Sequence, residues 1–212
     1  MVAGKDKQAR HFDFSTYLRL NIKGSTGGLV HAHFANNGKK IVTAEAYGEW
    51  IRVWDSQGYP LDSIDHAGQT IDRVTASNQA ASIVASSDMS GMIRIWDHQS
   101  DSLIKLPGRP FESPQKIEFS PDGARIYARY LDSVMVWETK GTFLGSFSPG
   151  LGVNAVTFSP DASRLAIAST EDSCVVIFPL APSKDTLIRL NMDQGVQSVA
   201  FSSDGTSLLM AK

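Results

Sequence analysis

His31 and His33 stand two residues apart in a run of alternating character, Leu29 to Ala35, so an extended backbone projects both rings to one side. Such a pair begins a metal site when a carboxylate or a third imidazole joins it. Other groups with chemical potential are few. The single cysteine, Cys174, rules out an intramolecular disulfide and a multi-cysteine zinc site. Its neighbours Val175 and Ile177 are apolar, and nothing adjacent lowers its pKa or offers a base, so a buried, inert thiol is expected. Asp122, Asp161 and Asp204 recur in tight-turn sequences, where aspartate is a turn former before it is a catalytic carboxylate. No Gly-rich phosphate loop, nucleophile elbow, metalloprotease helix or calcium loop is present. The expectation is a chain without catalytic residues, metal or cofactor.

The elements that carry these residues are set by a chain of 212 residues, 42% hydrophobic and 20% charged, which excludes a disordered tail and a coiled coil. A globule of this length buries roughly 70% of the surface its unfolded chain exposes. Twenty basic and 22 acidic residues leave a net charge of -2, so no global field draws nucleic acid or an anionic membrane. No apolar run approaches the roughly 18 residues of a membrane helix, and the N-terminus has no secretory h-region. A soluble, cytoplasmic chain is the expectation.

Two signals repeat in phase. "IRVWD" ends at Asp55, "IRIWD" at Asp97, "VMVWE" at Glu138 and "VVIF" at Phe178, so Trp54, Trp96, Trp137 and Phe178 recur every 41 or 42 residues. Phe119-Ser-Pro-Asp-Gly, Phe158-Ser-Pro-Asp-Ala and Phe201-Ser-Ser-Asp-Gly keep the same beat, with Phe34-Ala-Asn-Asn-Gly two periods earlier and Ala76-Ser-Asn-Gln as a weakened copy. Each unit reads as four short strands, a to d, joined by polar turns, and no segment has helical periodicity.

In these phased Trp-Asp and Ser-Pro-Asp-Gly signals the chain resembles the WD-repeat β-propeller family, possessing the flavour of its bacterial members. The resemblance covers residues 8–212 and implies one four-stranded antiparallel blade per repeat. It predicts an all-β chain with a single propeller domain over 1–212. Complete blades fall at 29–64, 70–106, 114–148 and 152–190. Residues 1–28 supply strands c and d of a terminal blade, at Ala9–Phe12 and Tyr17–Ile22, and residues 195–212 supply strands a and b. The ends either join as the fifth blade of a closed ring or belong to a piece of a larger propeller. Family blades often hold a buried Asp-His-Ser-Trp network, of which only parts are visible: Ser86 is in place, Ala44 and Ala168 replace its equivalents, Asp172 keeps the turn position, and His66 misses its expected place by about one residue.

Two surfaces are candidates for binding. Aligned with His31 are Arg73 and Lys116, and aligned with His33 is Glu118, so His31, His33, Arg73, Lys116 and Glu118 form a mixed polar set at a channel mouth. Solvated lining competes with an anion or acidic peptide end as its role. The turns between strands b and c carry Tyr47 and Trp50, Met89 and Met92, and Tyr130 with Arg129 at the edge. Tyr and Trp anchor interfaces and Met suits adaptable ones; packing of Trp50 between blades is the competing account. The resemblance implies a non-catalytic protein- or peptide-binding scaffold, with no nucleic acid and no membrane as partners. A regulatory or sensor segment of a larger bacterial signalling protein is the alternative, and a propeller hydrolase using Glu118, His31 and His33 stands third. Self-association through unpaired terminal strand edges is a further expectation.

Overall fold

The computed structural model describes residues 2–4, 8–11, 20–23, 29–45, 48, 50–66, 69–79, 82–180 and 187–212. Among them every regular element is a strand, and the chain divides into two compact units, Met1–Ile117 and Glu118–Lys212. The first unit opens with β1 (Val2–Gly4), β2 (Gln8–His11) and β3 (Leu20–Lys23), paired in that order. β2 overlaps the expected range 9–12 and β3 the end of the range 17–22, while Phe12 and Tyr17 lie outside the described residues. β1 was not expected, because three residues carry no readable period. Two four-stranded antiparallel sheets follow: β4 (Leu29–Ala35), β5 (Lys40–Glu45), β6 (Trp50–Asp55), β7 (Pro60–Asp65), then β8 (Ile71–Ala76), β9 (Ile83–Asp88), β10 (Met92–Asp97), β11 (Ser102–Pro107).

The third sheet holds β12 (Lys116–Phe119), on which the division falls, with β13 (Arg125–Arg129), β14 (Val134–Glu138) and β15 (Phe143–Phe147). The second unit continues with β16 (Val153–Phe158), β17 (Arg164–Ser169), β18 (Cys174–Pro179) and β19 (Ile188–Asn191), and ends in the pair β20 (Ser198–Phe201) and β21 (Leu208–Ala211). These all-β, four-stranded antiparallel sheets have the form of propeller blades.

In each four-stranded sheet burial is greatest on the second strand and least on the fourth. β5, β9 and β17 are enclosed on both faces after their first residue, which is why Ile41 to Ala44 and Leu165 to Ala168 read as continuous apolar or small runs. β7 and β11 alternate and stand largely in water. The phased tryptophans of the third strands, Trp54, Trp96 and Trp137, are buried and Phe178 is half-buried; across the ladder Trp96 stands opposite Leu103 and Trp137 opposite Phe143. The Trp137 and Phe143 rings are 5.6 Å apart, so the exposed Phe143 roofs the indole beneath it.

The cores lie between sheets. Val42, Ala44, Ile51 and Val53 of the first full sheet pack with Ile71, Val74, Val84 and Trp96 of the second. Within the second unit, Tyr127, Val134 and Val136 pack with Val156, Phe158, Leu165 and Ile167, and Ala166, Ala168, Val175 and Ile177 pack with Val196 and Val199. Within each unit these neighbouring sheets thus complete a core together, as stacked repeats require. Polar side chains add ties: Arg125 donates to the Ala162 carbonyl, and Arg164 Nη2 to the Gly205 carbonyl at 3.0 Å.

Candidate functional site

The β5–β6, β9–β10, β13–β14 and β17–β18 turns and the linkers between sheets emerge at one end of their sheets, the other hairpin turns at the opposite end. In the first unit the former end is organised by Asp88, which is fully buried. Its Oδ1 accepts from the Ser90 N–H (2.9 Å), the Ser90 hydroxyl (2.5 Å) and the Met92 N–H (3.3 Å), while Oδ2 pairs with Arg94. Burial pushes the carboxyl pKa up, but the bonds from Arg94 and Ser90 outweigh it and hold Asp88 below the usual carboxylate range.

Arg94 also lies 3.5 Å from His66 Nδ1, and His66 Nε2 lies 2.7 Å from Ser86 Oγ. A guanidinium only donates, so Nδ1 accepts and Nε2–H donates to the serine. Burial, reinforced by the Arg94 charge, lowers the His66 pKa to about 4, leaving a neutral ring. The reading that placed His66 out of position is corrected here: residue counting misses a linker whose path is set by hydrogen bonds, and His66 is the partner of Ser86. In the preceding sheet Glu45 and Arg52 pair at the matching place.

Above this layer the rim is apolar. Trp50 is 39% exposed, Met89 61% and Phe111 93%; in the second unit Leu131 and Leu151, each 61% exposed, occupy the same end of their sheets. Backbone bonds link the first three sites: Ile71 N–H to the Gly48 carbonyl (3.4 Å), Met89 N–H to the Thr70 carbonyl (3.4 Å), and Phe111 N–H to the Ser90 carbonyl (3.0 Å). Met92 is half-buried, and Tyr47 lies outside the described residues. Tyr130 is fully buried, which corrects its assignment to the surface. Its N–H closes a short turn onto the Ser133 carbonyl at 2.8 Å, so Leu131 takes the outward tip instead. Arg129 spends Nη1 on the Val153 and Asn154 carbonyls (3.1 and 2.5 Å), tying β13 to β16. Phe111 escaped sequence reading because its linker falls outside the repeated motifs, and Leu131 because the aromatic Tyr130 beside it reads as the outward residue of the same turn.

The polar set at the inner strands is largely occupied. The His31 and His33 rings stack at 6.2 Å, and His31 Nε2–H donates to the Asp72 carbonyl at 2.9 Å. Arg73 bonds the Gln115 carbonyl (3.0 Å) and both the carbonyl and carboxylate of Asp72 (2.9 and 2.8 Å). Glu118 accepts the Tyr127 hydroxyl at 2.6 Å, and Lys116 is exposed. Among the described residues no three His, Cys, Asp or Glu side chains gather to hold a metal. Asp161 is held down to about 2 by hydrogen bonds from Ser159 and Ser163, and Asp204 to about 2 by Ser202 and Thr206, as turn-forming carboxylates. Cys174 is buried, and burial raises its thiol pKa.

Comparison with known proteins gives this arrangement a family. The model of the family described as WD domain, G-beta repeat, matches residues 137–178, one period of the repeat. The chain is 33% identical over 130 residues to "Actin-interacting protein 1" of Drosophila melanogaster, covering 58% of this chain and 21% of that protein. It is 31% identical over 136 residues to "WD repeat-containing protein 1" of Xenopus tropicalis (60% and 22%), and 30% identical over 187 residues to the Gallus gallus protein of the same name (82% and 28%). The chain thus matches only about a quarter of the length of these curated relatives.

Proposed function

This is a chain of WD repeats, and from that premise we propose that it is a non-catalytic scaffold that binds a protein or peptide on the rim bearing Trp50, Met89 and Phe111. The observation that carries the reading is the distribution of exposed large apolar side chains. Two of those on the outer strands, Leu103 and Phe143, shield a tryptophan across the ladder. Trp50, Met89, Phe111, Leu131 and Leu151 have no such partner among the ladder pairs and stand at the second-to-third-strand turns or on the linkers, at one end of their sheets.

One relative is named for an interaction with actin, which makes actin the first partner to assay. Those relatives are animal proteins and lend no support to the bacterial signalling alternative. A hydrolase using Glu118, His31 and His33 is disfavoured because His31 and Glu118 already serve structural bonds. No helix among the described residues is long and apolar enough to cross a membrane, and cytoplasmic placement belongs to this proposal. The test compares partners captured from a lysate, and binding to purified actin, by the chain and by Trp50→Ala with Met89→Ala. An unchanged set of partners on an intact fold would remove the rim from the account.

A further inference from the structure

Resting on the rim reading above, two further observations define the chemistry of what binds there. Phe111 has a left-handed backbone (φ 61°), which residues bearing a Cβ disfavour, and its ring is turned into water. The loop that enforces this is over-determined. Phe111 N–H bonds the Ser90 carbonyl at 3.0 Å, Glu112 N–H the Arg109 carbonyl at 3.2 Å, and Ser113 Oγ the Asp88 carbonyl at 3.2 Å. The Arg109 carbonyl also fills the space a Cβ on Gly91 would need, 1.9 Å away. Strain held in place without packing in return points to use of the side chain.

The second observation is charge. The arginines nearest the rim each have a carboxylate: Arg52 with Glu45, Arg94 with Asp88, Arg73 with Asp72 at 2.8 Å and Arg109 with Glu112 at 3.2 Å. None is left to recognise an acidic motif, whereas an interface core depleted of charge favours aromatic and Met contacts. We infer that Phe111, whose loop packs beside Met89 on the rim that also bears Trp50, anchors a segment of a partner protein through uncharged aliphatic or aromatic side chains, and not through an acidic or basic motif.

The test is selection of binders from a random-peptide display library on the intact chain, followed by affinity measurement on the chain, on Phe111→Gly and on Trp50→Ala. Glycine suits φ 61°, so Phe111→Gly keeps or gains thermal stability while losing the ring. The expected peptides are rich in aliphatic and aromatic residues without net charge, and bind Phe111→Gly about tenfold or more weakly. Their affinity changes by less than about twofold between roughly 0.05 and 0.5 M salt. Charged motifs, or a steep salt dependence, would overturn the inferred chemistry and leave the scaffold role standing. Peptides that bind both variants as well as the parent chain would overturn the anchor and the rim together. If no peptide exceeds background, the inference fails, while the scaffold role is judged separately by the capture comparison.

Discussion

Gly91 and Ser173 hold equivalent places in the β9–β10 and β17–β18 turns, both with left-handed backbone (φ 85° and 46°). At Gly91 any Cβ would meet the Arg109 carbonyl as well as the unfavourable torsion. Gly91→Ala should therefore lower the unfolding free energy by about 2 kcal/mol or more in chemical denaturation, and should release the Phe111 loop. Ser173→Gly relieves the same torsion without a clash and should add roughly 0.5 kcal/mol. Cys174, enclosed and with its thiol pKa raised, should resist a thiol-specific reagent in the native chain and react once denaturant unfolds it. Full reaction without denaturant would contradict its burial.

The turn and linker that meet at Asp88 and His66 make one element titrate with the fold. A histidine near pKa 6.5 when unfolded and about 4 when folded binds its proton less readily in the native state. Its contribution is therefore complete above about pH 6.5 and is lost as pH falls toward 4, by at most about 3 kcal/mol. Asp88, held low, contributes above roughly pH 4, and that part is lost as pH falls through its native value. Denaturation series between these pH values should show a steep loss for the parent chain and a flatter one for His66→Gln. Strand positions were legible because Trp54, Trp96 and Trp137 and the Ser-Pro-Asp turns are local and periodic. The Arg94–His66–Ser86 contact was not, since it joins a linker to two strands and depends on a path that residue counting does not give. Tyr130 failed for a related reason: its type suggested an interface, and a shorter hairpin turned it inward.

Within each of the two units, apolar surface is shared between successive sheets. Removing residues 195–212 would uncover Ala166, Ala168, Val175 and Ile177 on β17 and β18. Such a truncation should lose several kcal/mol of stability, on the order of 1.5–3 for each buried valine or isoleucine side chain newly exposed. It should also associate on size exclusion through the uncovered face; a monomer of unchanged stability would refute the stacking account. The four tryptophans divide unequally: Trp54, Trp96 and Trp137 are enclosed, and only Trp50 meets solvent. A soluble collisional quencher therefore reaches one indole in four, and that indole stands on the proposed binding rim. The chain carries its own optical gauge, in which the quenchable fraction of native emission falls as the rim becomes occupied, with no label attached.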